Sequence, residues 1–221
     1  MESIYEIKNL GFDYSNTQVL KNLNLNIYEG DFIGIIGSNG SGKSTLLKIM
    51  VSELENYDGS IKIFGEDIKY FKDWEKIGYV PQIDRSKSIA FPISVEEMVK
   101  LNLYRDFNFF NLPKKKHRQD VMDILTMFNI KDLASKNYNE LSGGQKQKVM
   151  IAKAMINNPQ VLIFDEPTVG IDEESKVEFF EILNHINKDH GITIIMVTHE
   201  MDVADAYFSR KVILKDRKIN E

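Results

Sequence analysis

The chain predicts an α/β fold, a mostly parallel sheet with a helical stretch inserted in its middle. Three observations carry this expectation. The strand-sized apolar run Phe32-Ile33-Gly34-Ile35-Ile36 leads straight into a glycine-rich loop and then a helical pattern. A second run, Val161-Leu162-Ile163-Phe164, ends in two carboxylates, Asp165 and Glu166. Between them, from about Asp84 to Met155, the character turns helical.

The elements follow in order. Ile4 and Ile7 flank polar residues, and Leu23, Leu25 and Ile27 repeat with period two, as half-buried strands do. Glu29-Gly30-Asp31 reads as a turn, and Phe32 to Ile36 as a strand covered on both faces. Lys43 to Leu54 reads as a helix, after which Asp58-Gly59 turns the chain into a short strand at Ile61 and Ile63. Pro113 can start a helix, and behind it Val121, Ile124, Leu125 and Phe128 form an apolar stripe. The basic run Lys114-Lys115-Lys116-His117-Arg118 opens that helix against its dipole. A solvated face is the expectation there, with a phosphate or lipid contact as the other option. After Pro159 come a strand at Val161 to Phe164, a helix striped by Phe179, Ile182, Leu183 and Ile186, and a strand at Ile192 to Val197. Val212 to Leu214 with Asp216-Arg217 suggests a closing hairpin. No repeat, low-complexity tract or linker interrupts the pattern.

Composition narrows the function classes. At 221 residues there is room for one large domain or two small ones. A net charge of −5 argues against non-specific nucleic-acid binding. The absence of cysteine excludes disulfides and thiolate metal sites. Met1 to Glu6 lacks the basic start and apolar stretch of a signal peptide. No apolar run approaches the roughly 20 residues a bilayer span needs. The expectation is a soluble chain whose membrane role, if any, comes through a partner.

The chemistry concentrates at three places. In Gly37-Ser38-Asn39-Gly40-Ser41-Gly42-Lys43-Ser44 the glycines let successive backbone N–H groups face one concavity around phosphates. Lys43 supplies charge to the β- and γ-phosphates, and the Ser44 hydroxyl can ligate Mg²⁺. The buried strand Val161 to Phe164 delivers Asp165 for Mg²⁺, and Glu166 to orient or deprotonate water, at its C-terminal end, where α/β sheets place ligands. Nucleotide hydrolysis is the reading. Gln82 ends a short strand where the helical stretch begins, so it can touch Mg²⁺ or water and report to that stretch. His199 follows a second sheet strand. Tyr14 suits stacking on a base and suits packing equally well. Asn187-Lys188-Asp189-His190 fails the Asn-Lys-x-Asp pattern that reads guanine, which favours ATP. The third place is Leu141-Ser142-Gly143-Gly144-Gln145, a serine and two glycines ahead of a helical pattern and a second anion-binding helix start. One γ-phosphate does not need two cradles from one polypeptide, unless the second serves a second copy.

With Tyr14, Gly37 to Thr45, Gln82, Leu141 to Gln145, Val161 to Glu166, Ile171-Asp172 and His199 in this order, the chain resembles the ATPase subunit of an ATP-binding-cassette transporter from about Tyr5 to Leu214. The resemblance implies a P-loop NTPase core with an antiparallel β subdomain and an inserted helical subdomain. The core would cover about 1–82 and 156–221, the helical subdomain about 83–155. It further implies that Tyr14 stacks on adenine, that Gly37, Ser38, Asn39, Gly40, Ser41, Gly42, Lys43, Ser44 and Thr45 hold ATP, and that Gln82 is the lid glutamine. Glu166 would be the catalytic carboxylate and His199 the switch histidine. Ser44, Gln82 and Asp165 would hold Mg²⁺. Two copies would face head to tail, with Ser142, Gly143, Gly144, Gln145 and Asp172 of one serving the ATP of the other.

The resemblance also implies partners: a separate integral membrane permease, an extracytoplasmic substrate-binding protein, and no nucleic acid. The place would be cytoplasmic, on the inner face of the cell membrane. Ala90 to Val99 resembles the segment after the lid glutamine in ATPases of zinc and manganese uptake systems. Import of such a metal is the expectation, with another cargo or a soluble iron–sulfur-assembly ATPase as alternatives. Lys148 stands where many relatives have arginine, which bears on a salt bridge.

Overall fold

The computed structural model describes residues 2–15, 17–82, 91–106, 115–199 and 204–220. Strands β1 (Ser3–Tyr14) and β2 (Thr17–Tyr28) form a long antiparallel hairpin. β3 (Phe32–Ile36) runs through the glycine loop into α1 (Lys43–Met50). β4 (Asp58–Ile63) and β5 (Glu66–Asp67) precede β6 (Ile77–Val80). The helices α2 (Val95–Lys100), α3 (Lys115–Met127) and α4 (Gly143–Met155) follow. Next come β7 (Val161–Asp165), α5 (Glu173–His190), β8 (Thr193–Thr198), β9 (Arg210–Lys215) and β10 (Lys218–Asn220).

The strands make two sheets among the described residues. One is antiparallel, in the order β2-β1-β4-β5. The other runs β10-β9-β3-β8-β7-β6 and is parallel at every pair except β10–β9. Its unbroken apolar runs serve two cores at once, because successive side chains of a strand point to opposite faces. Ile33, Ile35, Val161, Ile163, Ile195 and Val197 face α1 and the inner side of the antiparallel sheet. Phe32, Leu162, Phe164, Ile194 and Met196 face the helices on the other side. Each such side chain contributes about 2 kcal/mol of burial. α4 packs on α2 and α3 and also on β6, so the helical stretch shares its apolar cluster with the sheet.

Several expectations change at the residue level. α1 stops at Met50, not Leu54: Ser52 takes φ +58°, and Glu53 N donates to Lys48 O at 2.8 Å, which closes the helix early. Asp58-Gly59 is not a turn but the start of β4, at an irregularity in its pairing with β1. The basic run is not uniformly solvated, since His117 is buried while Lys115, Lys116 and Arg118 are exposed. Pro113, Lys114, Asp84 and Ala90 lie outside the described residues.

Gly59 sits at φ +90°, where a Cβ would press on the Lys8 carbonyl and lie 2.5 Å from Asn9 O. Backbone atoms cannot yield as a flexible side chain can. Gly59→Ala should cost about 3 kcal/mol, lowering Tm by ~10 °C. Gly30→Ala is the matched control, at φ +79° with nothing within 4 Å, and should cost only about 1 kcal/mol. Calorimetry of the two variants checks the contrast.

Candidate functional site

The glycine loop leaves the C-terminal end of β3, the end at which parallel sheets place ligands. It is wedged between two walls. A Cβ on Gly37 would press on the Leu214 carbonyl and lie 2.6 Å from Ser41 Oγ, and one on Gly42 would lie 2.7 Å from Leu20 Cδ2. Ser38, Asn39 and Gly40 form the exposed tip, and Gly40, at φ +79°, has nothing within 4 Å of its missing Cβ. Thr45 follows Ser44 on α1 and is half-buried. Tyr14 ends β1 at the hairpin whose next strand brings Val19 and Leu20 against Gly42. Its ring is half-exposed and meets Phe12 edge-on at 4.9 Å.

Lys43 opens α1 and is only 4 % exposed. Its Nζ donates to Gly37 O at 2.8 Å and Ser38 O at 3.0 Å, and lies 3.7 Å from Glu166 Oε1. Ser44 Oγ donates to Asp165 Oδ1 at 3.0 Å. Burial pushes the Asp165 carboxyl up, the Ser44 hydrogen bond pulls it down, and the Glu166 charge pushes it up again. Lys48, one turn beyond Ser44, and then Lys43 lower it through their charge. Sequence reading passed over Lys48; its spacing of four from Ser44 on a helix was the available signal.

Glu166 follows β7 in a left-handed conformation, φ +45°, held by its N–H donating to Val197 O at 2.9 Å. A non-glycine residue at positive φ is strained, and such strain concentrates at sites that require an exact side-chain direction. The carboxylate is where the other polar groups meet. Gln82 Nε2 donates to Glu166 Oε2 at 3.4 Å, and His199 Nδ1 lies 3.4 Å from the same oxygen. β6, β7 and β8 are adjacent strands, so their ends deliver Gln82, Glu166 and His199 side by side.

The segment Leu141 to Gln145, expected to be a second cradle, lies elsewhere on the molecule. Ser142 caps α4: its Oγ accepts from Gln145 N at 3.3 Å, and Gln145 Oε1 accepts from Ser142 N at 3.0 Å. The serine hydroxyl and glutamine amide are thereby engaged within their own helix start, while Gly143 and Gly144 open its first turn. Asp172 caps α5, its Oδ1 accepting from Ser175 N at 3.0 Å, and hydrogen bonds from Ser175 hold its carboxyl below the usual range. Among the described residues no hydrogen bond or ion pair joins Ser142 to Gln145, or Asp172, to the Glu166 cluster. The structure therefore brings together Lys43, Ser44, Asp165, Glu166, Gln82 and His199 and leaves the second group apart. The partner of Lys148, invisible in the sequence, is Glu178 at 2.6 Å. Asn187 serves no base: its Nδ2 donates to Gly30 O at 3.0 Å and Ile192 O at 2.9 Å, bracing the end of α5.

The residues present fit a phosphate chain with a hard cation. Ser41 Oγ is buried in the loop with no hydrogen-bond partner among the described residues, and the Ser44 hydroxyl and Asp165 carboxylate are adjacent oxygen donors of the kind Mg²⁺ takes.

Residues 20–169 match the family model described as ABC transporter. The zinc uptake system ATP-binding protein ZurA of Listeria monocytogenes is 38% identical over 219 residues, 99% of this chain and 85% of that protein. The manganese transport system ATP-binding protein MntB of the same organism is 35% identical, over 97% of this chain and 87% of the relative. Among solved structures, cbiO1 from Clostridium perfringens, part of the ABC transporter complex cbiONQ, superimposes with a TM-score of 0.86 at 33% identity, over 100% of this chain and 88% of that one. The dimeric bacterial ABC transporter cassette MJ0796 superimposes at 0.81 with 30% identity, over 98% of this chain and 97% of that one.

Proposed function

The chain belongs to the ABC transporter family, and from that premise we propose that it is the ATP-binding subunit of a zinc or manganese importer. It hydrolyses ATP and couples that reaction to transport by a separate membrane permease. The metal is cargo, selected by the permease and an extracytoplasmic binding protein. This chain works on the cytoplasmic face, held to the membrane through the permease. No helix among the described residues is long and apolar enough to cross a membrane.

The observation that carries the ATPase reading is the convergence of Lys43, Gln82 and His199 on Glu166, and the likeness to ZurA and MntB supports the metal. Glu166 accepts the proton of the attacking water, and Gln82 and His199 fix the direction of its carboxylate. Lys43 exchanges the carbonyls of Gly37 and Ser38 for β- and γ-phosphate oxygens, and Ser41 and the loop amides supply further donors. Ser44, Asp165 and Gln82 would hold Mg²⁺, which supplies positive charge against the phosphates. Tyr14 stacks on the adenine. Two copies assemble head to tail, each offering Ser142 to Gln145 and Asp172 to the other's ATP, a reading supported by the likeness to the dimeric cassette MJ0796. Closure around two ATP molecules and reopening after hydrolysis is the stroke passed to the permease.

Cells lacking the protein should accumulate less zinc or manganese from limiting medium, with uptake restored by the wild-type chain and not by Lys43→Ala. The tagged chain should co-purify with a multi-spanning membrane protein. Recovery with soluble partners alone, and unchanged metal content, would rule the importer out.

A further inference from the structure

The first turns of α4 and α5 meet along a seam with polar contacts at its rim. A Cβ on Gly144 would lie 3.2 Å from Ser175 Oγ, and one turn on Lys148 Nζ lies 2.6 Å from Glu178 Oε1. Between these two contacts Gln147 borders a cavity of about 10 Å³ walled by Ile151, Ile171 and Phe179. Gln147 is 2 % exposed, and among the described residues neither its Oε1 nor its Nε2 has a hydrogen-bond partner. A buried amide with both halves unanswered disfavours the arrangement that contains it.

Both helices feed the apolar cluster on one face of the sheet, α4 packing on α2, α3 and β6, and α5 setting Phe179 edge-on to Phe164 of β7. Each helix also begins with a cap assigned to the partner's nucleotide, Ser142 on α4 and Asp172 on α5. The seam sets a rim ion pair and an unanswered amide beside Ile151, Ile171 and Phe179, and a packed interface of this kind moves between discrete arrangements.

We propose that Gln147 is a positioning residue for the shared nucleotide site: its amide gains hydrogen-bond partners when α4 moves against α5, and so favours the arrangement in which both caps reach the second copy. The inference rests on the head-to-tail reading above. Leucine fills nearly the same volume without the amide. Gln147→Leu should raise the Tm of the nucleotide-free chain by about 3 °C and leave ATP affinity of the monomer unchanged. In a Glu166→Gln background it should weaken Mg-ATP-driven dimerisation about tenfold by analytical ultracentrifugation. Gln147→Met, a second apolar replacement, should behave alike. Unchanged dimerisation would overturn the inference, and so would a fall in Tm with both variants, which is the result if a trapped water already satisfies the amide. If the Glu166→Gln parent itself stays monomeric at saturating Mg-ATP, the head-to-tail reading fails and takes this inference with it.

Discussion

Glu166→Gln should lower kcat about 10²–10⁴-fold, the usual contribution of a positioned general base, while ATP still binds. The amide nearly matches the carboxylate in shape, so Gln82 and His199, each 3.4 Å from Glu166 Oε2, keep a neighbour of the same size. What disappears is the capacity to take a proton. The strained backbone at φ +45° and its hydrogen bond to Val197 are untouched, so any loss reports chemistry and not misfolding. With the water unactivated, the ATP that joins two copies persists. The variant should therefore run as a dimer in Mg-ATP and as a monomer in Mg-ADP by ultracentrifugation. A monomer in saturating Mg-ATP would refute the head-to-tail model, and wild-type turnover would remove Glu166 from the base role.

Lys43→Ala should weaken ATP binding about 100-fold and abolish measurable turnover. Losing charge-assisted hydrogen bonds to phosphate costs roughly 3 kcal/mol, which is two orders of magnitude in Kd. The lysine is 4 % exposed and holds the carbonyls of Gly37 and Ser38, so its removal also loosens the loop. Tm measured without nucleotide separates the two effects. A modest drop in Tm with a large rise in Kd supports the phosphate role. Retained hydrolysis would overturn it.

How much of this was legible in the sequence follows from how local the cause is. The runs Phe32 to Ile36 and Val161 to Phe164 announce strands covered on both faces, because period-two geometry leaves no polar position to spare. Gly37 to Ser44 announces a phosphate loop, since only glycines permit that backbone path at Gly40 and Gly42. Where the cause was a distant segment or a single backbone angle, composition was a poor guide. The Asp58-Gly59 pair looks like a turn on composition, yet Gly59 is required by the approach of the Lys8 and Asn9 carbonyls on β1. α1 carries apolar residues on to Leu54, but Ser52 turns left-handed and ends it early. His117 sits in a basic run and is buried nonetheless. Ser142 and Gln145 were read as an anion cradle, and the structure adds that they are tied to each other in a capping box.

The sequence by itself determined the elements and the chemical inventory: an α/β sheet, a glycine loop, a strand ending in Asp165-Glu166, and a Ser-Gly-Gly-Gln helix start. These rest on periodicity and on backbone rules that act over a few residues. Tertiary structure alone decided which of those groups meet. The order β6, β7, β8 side by side sets Gln82, Glu166 and His199 on one carboxylate. The fold of the loop turns Lys43 back onto the carbonyls of Gly37 and Ser38, and the contact of α4 with α5 leaves Gln147 buried without a hydrogen-bond partner among the described residues. The contacts on Glu166 and around Gln147 join residues far apart in the chain, and the energies of all of them depend on distance and burial, which no local pattern encodes.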